Sequence, residues 1–374
     1  YFNKAIKTTK TRLLKDDPGL TAYSLSDEKT FDITIGDRVL SEEIVSGGRV
    51  PVYSANVYEE FGRIDKENMK DYSRPSVIWG IDGDWMVNII PAGVPFYPTD
   101  HCGVLRIKTE KILPEYMMYA LQAEGEYERF SRNNRASAQR IRSLVVQAPE
   151  TKIQKNIIDE LKALDDKING QNAEIEKYEN SIRTKFDQIF HLEEFISDGV
   201  FSKYEGYSVE DLCIDGRGRV INQQYIENHK GPYPVYSSQT TNDGIFGSID
   251  TFDFDGEYIT WTTDGAKAGT VFYRNGKFNC TNVCGTLKAK NDKVNMRYLA
   301  YLLNRIAYKF VSRVGNNKLM NDAMKKIVVP VPKRQLQDEF ADFVQSVEKS
   351  KFECIGKKEK FEIEKDTFVH KYFR

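Results

Sequence analysis

Hydrophobic positions follow two different periods along the chain. Over residues 151–192, Leu161, Ile168, Ile175, Ile182 and Ile189 recur every seven positions. Leu164 and Tyr178 fill alternate seam positions, and polar Gln171 and Lys185 alternate with them. Near the C-terminus, Phe340, Val347, Cys354, Phe361 and Phe368 keep the same spacing. An apolar residue at every seventh position lays one stripe along a helix and marks a coiled-coil seam. Each pattern predicts a helix of about 35–40 residues, roughly 50–60 Å at 1.5 Å per residue. Neither helix can bury its stripe alone. Their matched lengths favour packing against each other, antiparallel, with globular domains at opposite ends; pairing with a second chain is the alternative.

Elsewhere the pattern is that of strands. Ser76–Trp79, Val104–Ile107, Tyr258–Trp261 and Thr270–Tyr273 are β-branched or aromatic runs bounded by Gly, Pro, Asn and Asp. Asp82-Gly83, Asp264-Gly265 and Asn275-Gly276 are turn signals, and Asn275-Gly276 is expected to close a two-residue hairpin. Helical stretches follow at Pro114–Glu128 and Asn295–Val311, the second with Tyr298, Leu299, Leu302, Leu303 and Ile306 at helical spacing. A polar, basic segment and a short Val-Val strand close each stretch.

These elements occur twice, in the same order, at an offset of about 183 residues. Pro51-Val52-Tyr53-Ser54-Ala55-Asn56 matches Pro234-Val235-Tyr236-Ser237-Ser238-Gln239, and Phe61-Gly62-Arg63-Ile64-Asp65 matches Phe246-Gly247-Ser248-Ile249-Asp250. Trp79-Gly80-Ile81-Asp82-Gly83 matches Trp261-Thr262-Thr263-Asp264-Gly265, and Cys102-Gly103 matches Cys284-Gly285. Tyr116 matches Tyr298, Asn133-Asn134-Arg135 matches Asn316-Asn317-Lys318, Pro149 matches Pro332, and Gln154 matches Gln337. A period this long is a domain duplication, each copy large enough for its own core. The fold class expected is α/β (α+β): two similar globular domains joined by two long antiparallel helices, with an internal pseudo-twofold repeat.

The chain has 374 residues, 40% hydrophobic and 29% charged, as in ordinary globular proteins. No apolar run approaches the ~20 residues of a membrane span, and no signal peptide is visible. The expected location is cytoplasmic. The chain begins with Tyr1 rather than Met, so a short leader is expected to be missing. Five Cys without metal-type pairing read as reduced thiols in or near cores, and His101, His191, His229 and His370 are scattered.

No catalytic pattern is present. There is no Asn/Asp-Pro-Pro-Tyr or Phe-x-Gly-x-Gly for methyl transfer, no phosphate-cradling Gly-x-x-x-x-Gly-Lys loop, no Gly-x-Ser-x-Gly and no His-Glu-x-x-His. Gly265-Ala266-Lys267-Ala268-Gly269 lies between two strand-like runs and reads as a loop, with Lys267 a candidate phosphate contact.

Net charge is −1, so nucleic-acid binding must rest on local patches. Two such patches sit at matched places. Arg129, Arg132, Arg135, Arg140 and Arg142 fall close together without an acid, interleaved with Ser131, Asn133, Asn134, Ser137 and Gln139. The second copy carries Arg305, Lys309, Arg313, Lys318, Lys325 and Lys326, with Asn316, Asn317 and Asn321. Arg and Lys contact phosphates or guanine edges, while Asn and Gln suit adenine edges. A solvated face is the plain reading of one basic run; its recurrence favours a DNA contact. The candidate contacts are Arg132, Asn133, Asn134, Arg135, Gln139 and Arg140 in the first copy, and Lys267, Arg313, Asn316, Asn317 and Lys318 in the second. A second surface comprises Tyr53, Ser54 and Asn56, with its counterpart Tyr236, Ser237, Ser238 and Gln239.

The blocks Trp261-Thr262-Thr263-Asp264-Gly265, Gly269-Thr270-Val271 and Val329-Pro330-Val331-Pro332 through Gln337 resemble the specificity subunit of type I restriction–modification systems. The first copy departs somewhat, with Trp79-Gly80-Ile81-Asp82-Gly83-Asp84 and Gln147-Ala148-Pro149. The resemblance runs from about Tyr23 to near the end. It implies target recognition domains at 23–150 and 193–333, spacer helices at 151–192 and 334–374, and an N-terminal helical or leader segment at 1–22. It also implies a non-catalytic subunit whose two domains each read half of a bipartite site in double-stranded DNA. Its partners would be two methyltransferase subunits and motor–nuclease subunits, which would carry S-adenosylmethionine, ATP and Mg. A coiled-coil protein-interaction scaffold with duplicated domains is the alternative, supported by the near-zero net charge.

Overall fold

The computed structural model describes residues 17–199 and 203–373. Most of the expected N-terminal segment, residues 1–16, lies outside them. The chain divides into unit 1, Tyr1–Asn172 with Gly356–Arg374, and unit 2, Ala173–Ile355. Each unit holds one globular part and a half of each long helix.

Unit 1 contains β1 (Thr21–Ser24), β2 (Phe31–Ile35), β3 (Val50–Tyr53), β4 (Gly62–Ile64), β5 (Ser76–Gly80), β6 (Val87–Ile90), β7 (Tyr97–Pro98), β8 (Cys102–Ile107) and β9 (Val145–Ala148). Its helices are α1 (Pro114–Tyr127), α2 (Ala138–Arg142) and the first part of α3 (Thr151–Phe190). An antiparallel sheet runs β2-β8-β5-β6, beside a three-stranded β4-β3-β7 sheet and the β1-β9 pair. The apolar face of α1 covers β5 and β6, burying Tyr116, Met117 and Leu121 against Trp79 and Leu105. Each large side chain buried in this layer contributes about 1.5–3 kcal/mol.

Unit 2 contains α4 (Glu193–Asp198), β10 (Gly206–Ser208), α5 (Val209–Leu212), β11 (Cys213–Arg217), α6 (Gln223–Asn228), β12 (Lys230–Tyr236), β13 (Ile245–Ile249), β14 (Phe254–Thr262), β15 (Val271–Cys280), β16 (Cys284–Ala289), α7 (Met296–Ile306), α8 (Asn321–Lys325), β17 (Val328–Pro330) and α9 (Arg334–Phe373). The topology repeats that of unit 1. The order β11-β16-β14-β15 mirrors β2-β8-β5-β6, and β12-β13 mirrors β3-β4. In unit 2 these merge into one six-stranded sheet, because β15 continues unbroken from β14 to a parallel pairing with β12 at Val235↔Asn279. The equivalent run in unit 1 is split into β6 and β7 by Pro91 and Pro95, which cannot donate to a ladder.

The duplication extends to buried hydrogen bonds. The Trp79 indole donates to Ala136 O and the Trp261 indole to Leu319 O, both at 2.9 Å. Each ring lies against a glycine: a Cβ at Gly103 would meet Trp79 at 2.1 Å, and one at Gly285 would meet Trp261 at 2.3 Å. Tyr116 and Tyr298 donate to Gln147 O and Pro330 O. Gln154 and Gln337, both fully buried, tie the start of each long helix to the segment before α1 or α7. Gln154 accepts from Leu113 N at 2.8 Å and donates to Lys111 O and Pro149 O. Gln337 accepts from Asn295 N at 2.8 Å and donates to Lys293 O and Pro332 O.

The heptad expectation holds. Of the seam positions, Leu161, Leu164, Ile182, Phe340, Val347 and Cys354 are buried, and Ile168, Gln171, Ile175, Tyr178, Lys185, Ile189, Phe361 and Phe368 are half-buried. Inside each unit the two helices pack antiparallel. In unit 1, Asp165 pairs with Lys365, and Lys167 lies over Phe361. In unit 2, Glu179 pairs with Lys351, Lys185 with Glu339, and Phe186 packs edge-on to Phe340. As α3 advances, its partners on α9 recede.

One turn expectation is overturned. Asn275-Gly276 lies within β15, opposite Glu257 and Gly256, and closes no hairpin. The β14–β15 turn is instead the Gly265–Gly269 loop, whose end glycines take φ of +96° and +86°. Gly276 uses its freedom at φ +109° inside the ladder, facing Gly256 at +102°. All five cysteines are free and buried. Burial pushes the Cys213 thiol up to about 12, far from reactivity at neutral pH.

Candidate nucleic-acid interface

In unit 1, three loops and one turn converge on an open concavity of about 490 Å³. Ser54 and Ala55 come from the end of β3, Asp82, Gly83 and Asp84 from the end of β5, and His101 from the start of β8. Arg132 and Arg135 come from the segment between α1 and α2. That segment is held from below: Ala136 donates to Ile81 O while accepting from Trp79. Ser131 and Asn134 exchange backbone hydrogen bonds, so Arg132 and Asn133 form the tip of a tight turn.

The sequence candidates separate here by what their side chains already do. Asn134 donates to Glu128 O and Arg129 O and accepts from Arg140 Nη1 at 2.6 Å. Arg140 also donates to Arg135 O and stacks over Phe130. These two brace the turn. Asn56 accepts from Tyr58 N, and Tyr53 packs edge-on to Phe96. Arg132, Asn133, Arg135 and Gln139 are exposed, and Ser54 hydrogen-bonds to Thr99 at the concavity.

Two groups at the centre were not among the sequence candidates. Arg135 Nη2 lies 3.3 Å from Asp82 Oδ2, and His101 Nδ1 lies 2.9 and 3.0 Å from the two Asp82 oxygens. The Arg135 side chain stays 56% exposed, so its guanidinium is oriented by the carboxylate and still open to a ligand. With Asp84 alongside, the concavity is mixed in sign rather than uniformly positive.

Unit 2 builds the same centre. Lys318 Nζ lies 3.9 Å from Asp264 Oδ2, Leu319 donates to Thr263 O, and Gly265 donates to Asn317 O. Val283 stands where unit 1 has His101. Gln239 braces its own loop by donating to Thr241 O and Ile245 O. Tyr236 lies 3.7 Å beneath the Arg274 guanidinium, which is buried and bound to Asp243. Ser237 and Ser238 are half-buried; Lys267, Arg313, Asn316 and Lys318 are exposed, and Asn317 is half-buried. Arg132, Lys267 and Arg313 make no ion pair among the described residues.

The missed Asp82 had a signal in the sequence: an acid before Gly in the Trp block of both copies, matched by a base after Asn-Asn in both. Among the described residues no cluster of His, Cys, Asp and Glu is placed to hold a metal, and no helix is long and apolar enough to cross a membrane.

The family described as the type I restriction modification DNA specificity domain matches residues 30–177 and again 202–365. A chain named as a type I specificity subunit in Mycoplasma pneumoniae is 39% identical over 212 residues, 56% of this chain and 77% of that one. The type I restriction enzyme MpnII specificity subunit of the same organism is 48% identical over 147 residues, 39% of this chain and 44% of that one. The alignment therefore spans less than half the length of the MpnII subunit. The solved S subunit of a type I restriction–modification system from M. genitalium matches with a TM-score of 0.62 at 18% identity. It covers 97% of this chain and 98% of that one, a likeness of fold.

Proposed function

The chain belongs to the type I restriction–modification DNA specificity family, and from that premise we propose that unit 1 and unit 2 each read one half of a bipartite site in double-stranded DNA. The observation that carries this is the repeated centre: Asp82 with Arg135, and Asp264 with Lys318, at the same place in both units. A carboxylate that holds a cation in place while leaving it exposed orients it for base edges or phosphates. Catalysis belongs to other subunits. Two methyltransferase subunits dock on the paired helices and bring S-adenosylmethionine. Motor–nuclease subunits join for restriction with ATP and Mg. The helices α3 and α9 act as the spacer, since half-sites must meet their readers at a fixed phase of a duplex that repeats every ~34–36 Å. The location is the cytoplasm, where that DNA lies.

The test is selection from a random duplex library by the chain purified with its methyltransferase partner. Recovery of a split motif is expected, with affinity falling steeply as salt rises, because phosphate contacts release counterions. Recovery of no split motif overturns the reading and favours the interaction scaffold.

A further inference from the structure

The matched recognition turns differ in length at one point. Ser131-Arg132-Asn133-Asn134-Arg135-Ala136 corresponds to Ser312-Arg313-Val314-Gly315-Asn316-Asn317-Lys318-Leu319. The tryptophan bonds to Ala136 and Leu319 fix the downstream end of both. Val314-Gly315 is therefore an insertion at the tip. In unit 1 the backbone closes between Ser131 and Asn134; in unit 2 it closes between Ser312 and Lys318, which exchange hydrogen bonds at 2.8 and 3.0 Å. Gly315 takes φ +74°, with nothing within 4 Å of where a Cβ would stand.

Val314 is 92% exposed, more than any other large apolar side chain among the described residues. A lone exposed valine is ordinary on a protein surface. This one stands at the apex of a loop anchored through fully buried Leu319, between Arg313 and the Asn316-Asn317 pair, beside the Asp264–Lys318 centre. Its neighbours suit a polyanion with hydrogen-bonding edges. The apolar group such a surface offers in the major groove is the thymine methyl.

We infer that Val314 contacts a thymine methyl in the half-site read by unit 2. This rests on the reading of the units as half-site readers. The unit 1 turn, with Arg132 and Asn133 at its tip, makes no such contact.

The test uses the complex with the methyltransferase partner and the split motif it selects. The half-site of unit 2 is the one that stays unchanged when residues 23–150 are exchanged for a relative's. Each thymine of that half-site is replaced in turn by deoxyuridine. The native chain is expected to lose about fourfold in affinity at one position, the worth of one methyl group kept from water. V314S is expected to bind thymine and uracil duplexes equally, with unchanged thermal unfolding because the side chain touches no core. Removing Val314 and Gly315 together, which restores the unit 1 length, should also abolish the difference. A half-site without thymine, no loss with deoxyuridine, or an equal loss in V314S each overturn the inference while leaving the half-site reading intact. If V314S weakens assembly with the methyltransferase subunit without DNA and keeps the native thymine preference, Val314 is a protein contact and the inference falls. Selection of no split motif removes the half-site reading, and the inference with it.

Discussion

Unit 1 and unit 2 hold the base of one loop, between α1 and α2 or between α7 and α8, identically and its tip differently. At the base, an indole donates to a backbone carbonyl at 2.9 Å and a glycine admits the ring; elsewhere in each unit a buried glutamine fixes the start of a long helix. At the tip, unit 1 has a tight turn beside a His101–Asp82–Arg135 cluster, while unit 2 has a longer loop with Val314 at its apex and Val283 in place of the histidine. Buried polar groups must be paired, at a cost of about 1–3 kcal/mol each if they are not, so the base admits few alternatives. Exposed tips carry no such penalty and are free to diverge. Two copies of one scaffold can thereby present two different chemistries.

Four substitution pairs probe this division. The largest effect is expected from Trp79→Ala and Trp261→Ala. Each empties a fully buried site and strands a carbonyl, costing about 3–5 kcal/mol in denaturant unfolding. Each should impair selection of one half-site only; equal damage to both halves by either variant would show that the units are not independent readers. Next come Gln154→Leu and Gln337→Leu, which strand the N–H of Leu113 or Asn295 and should cost about 1–3 kcal/mol apiece. Similar losses in the two units would support an equivalent buried frame, and a marked inequality would break the comparison.

Arg135→Ala and Lys318→Ala act on DNA affinity rather than on stability, and both are expected to weaken binding. Loss of a base contact should cost about 1–3 kcal/mol and relax preference at one position, whereas loss of a phosphate contact should lower the salt slope by about 1. Titrations at several salt concentrations separate the two, and unchanged affinity in both variants would exclude these loops as the contact. The smallest stability effect belongs to Asp82→Asn and Asp264→Asn. Exposed pairs are worth about 0–1 kcal/mol, so thermal unfolding should barely move while half-site preference shifts.

The seam residues, α1 and α7 and both closing strands were legible in the sequence, because each depends on neighbours a few positions away; the duplication was legible because its blocks recur in the same order. Asn275-Gly276 was misread for the same reason. Locally it is a turn dipeptide, and only its pairing with Gly256 and Glu257 makes it strand. The separation of β2-β8-β5-β6 from β4-β3-β7 in unit 1, where unit 2 has one six-stranded sheet, follows from Pro91 and Pro95, whose effect depends on which strand they interrupt.

The repeat and the helical stripes were determined by sequence alone, since periodicity is a one-dimensional property. The division of the basic segments was decided by tertiary structure. Asn134 and Arg140 brace a turn, Gln239 braces another, and Arg135 meets an acid from a strand end more than fifty residues earlier. Which polar side chains are spent within the protein, and which stay open to a partner, depends on segments brought together by the sheets. No local pattern encodes that meeting.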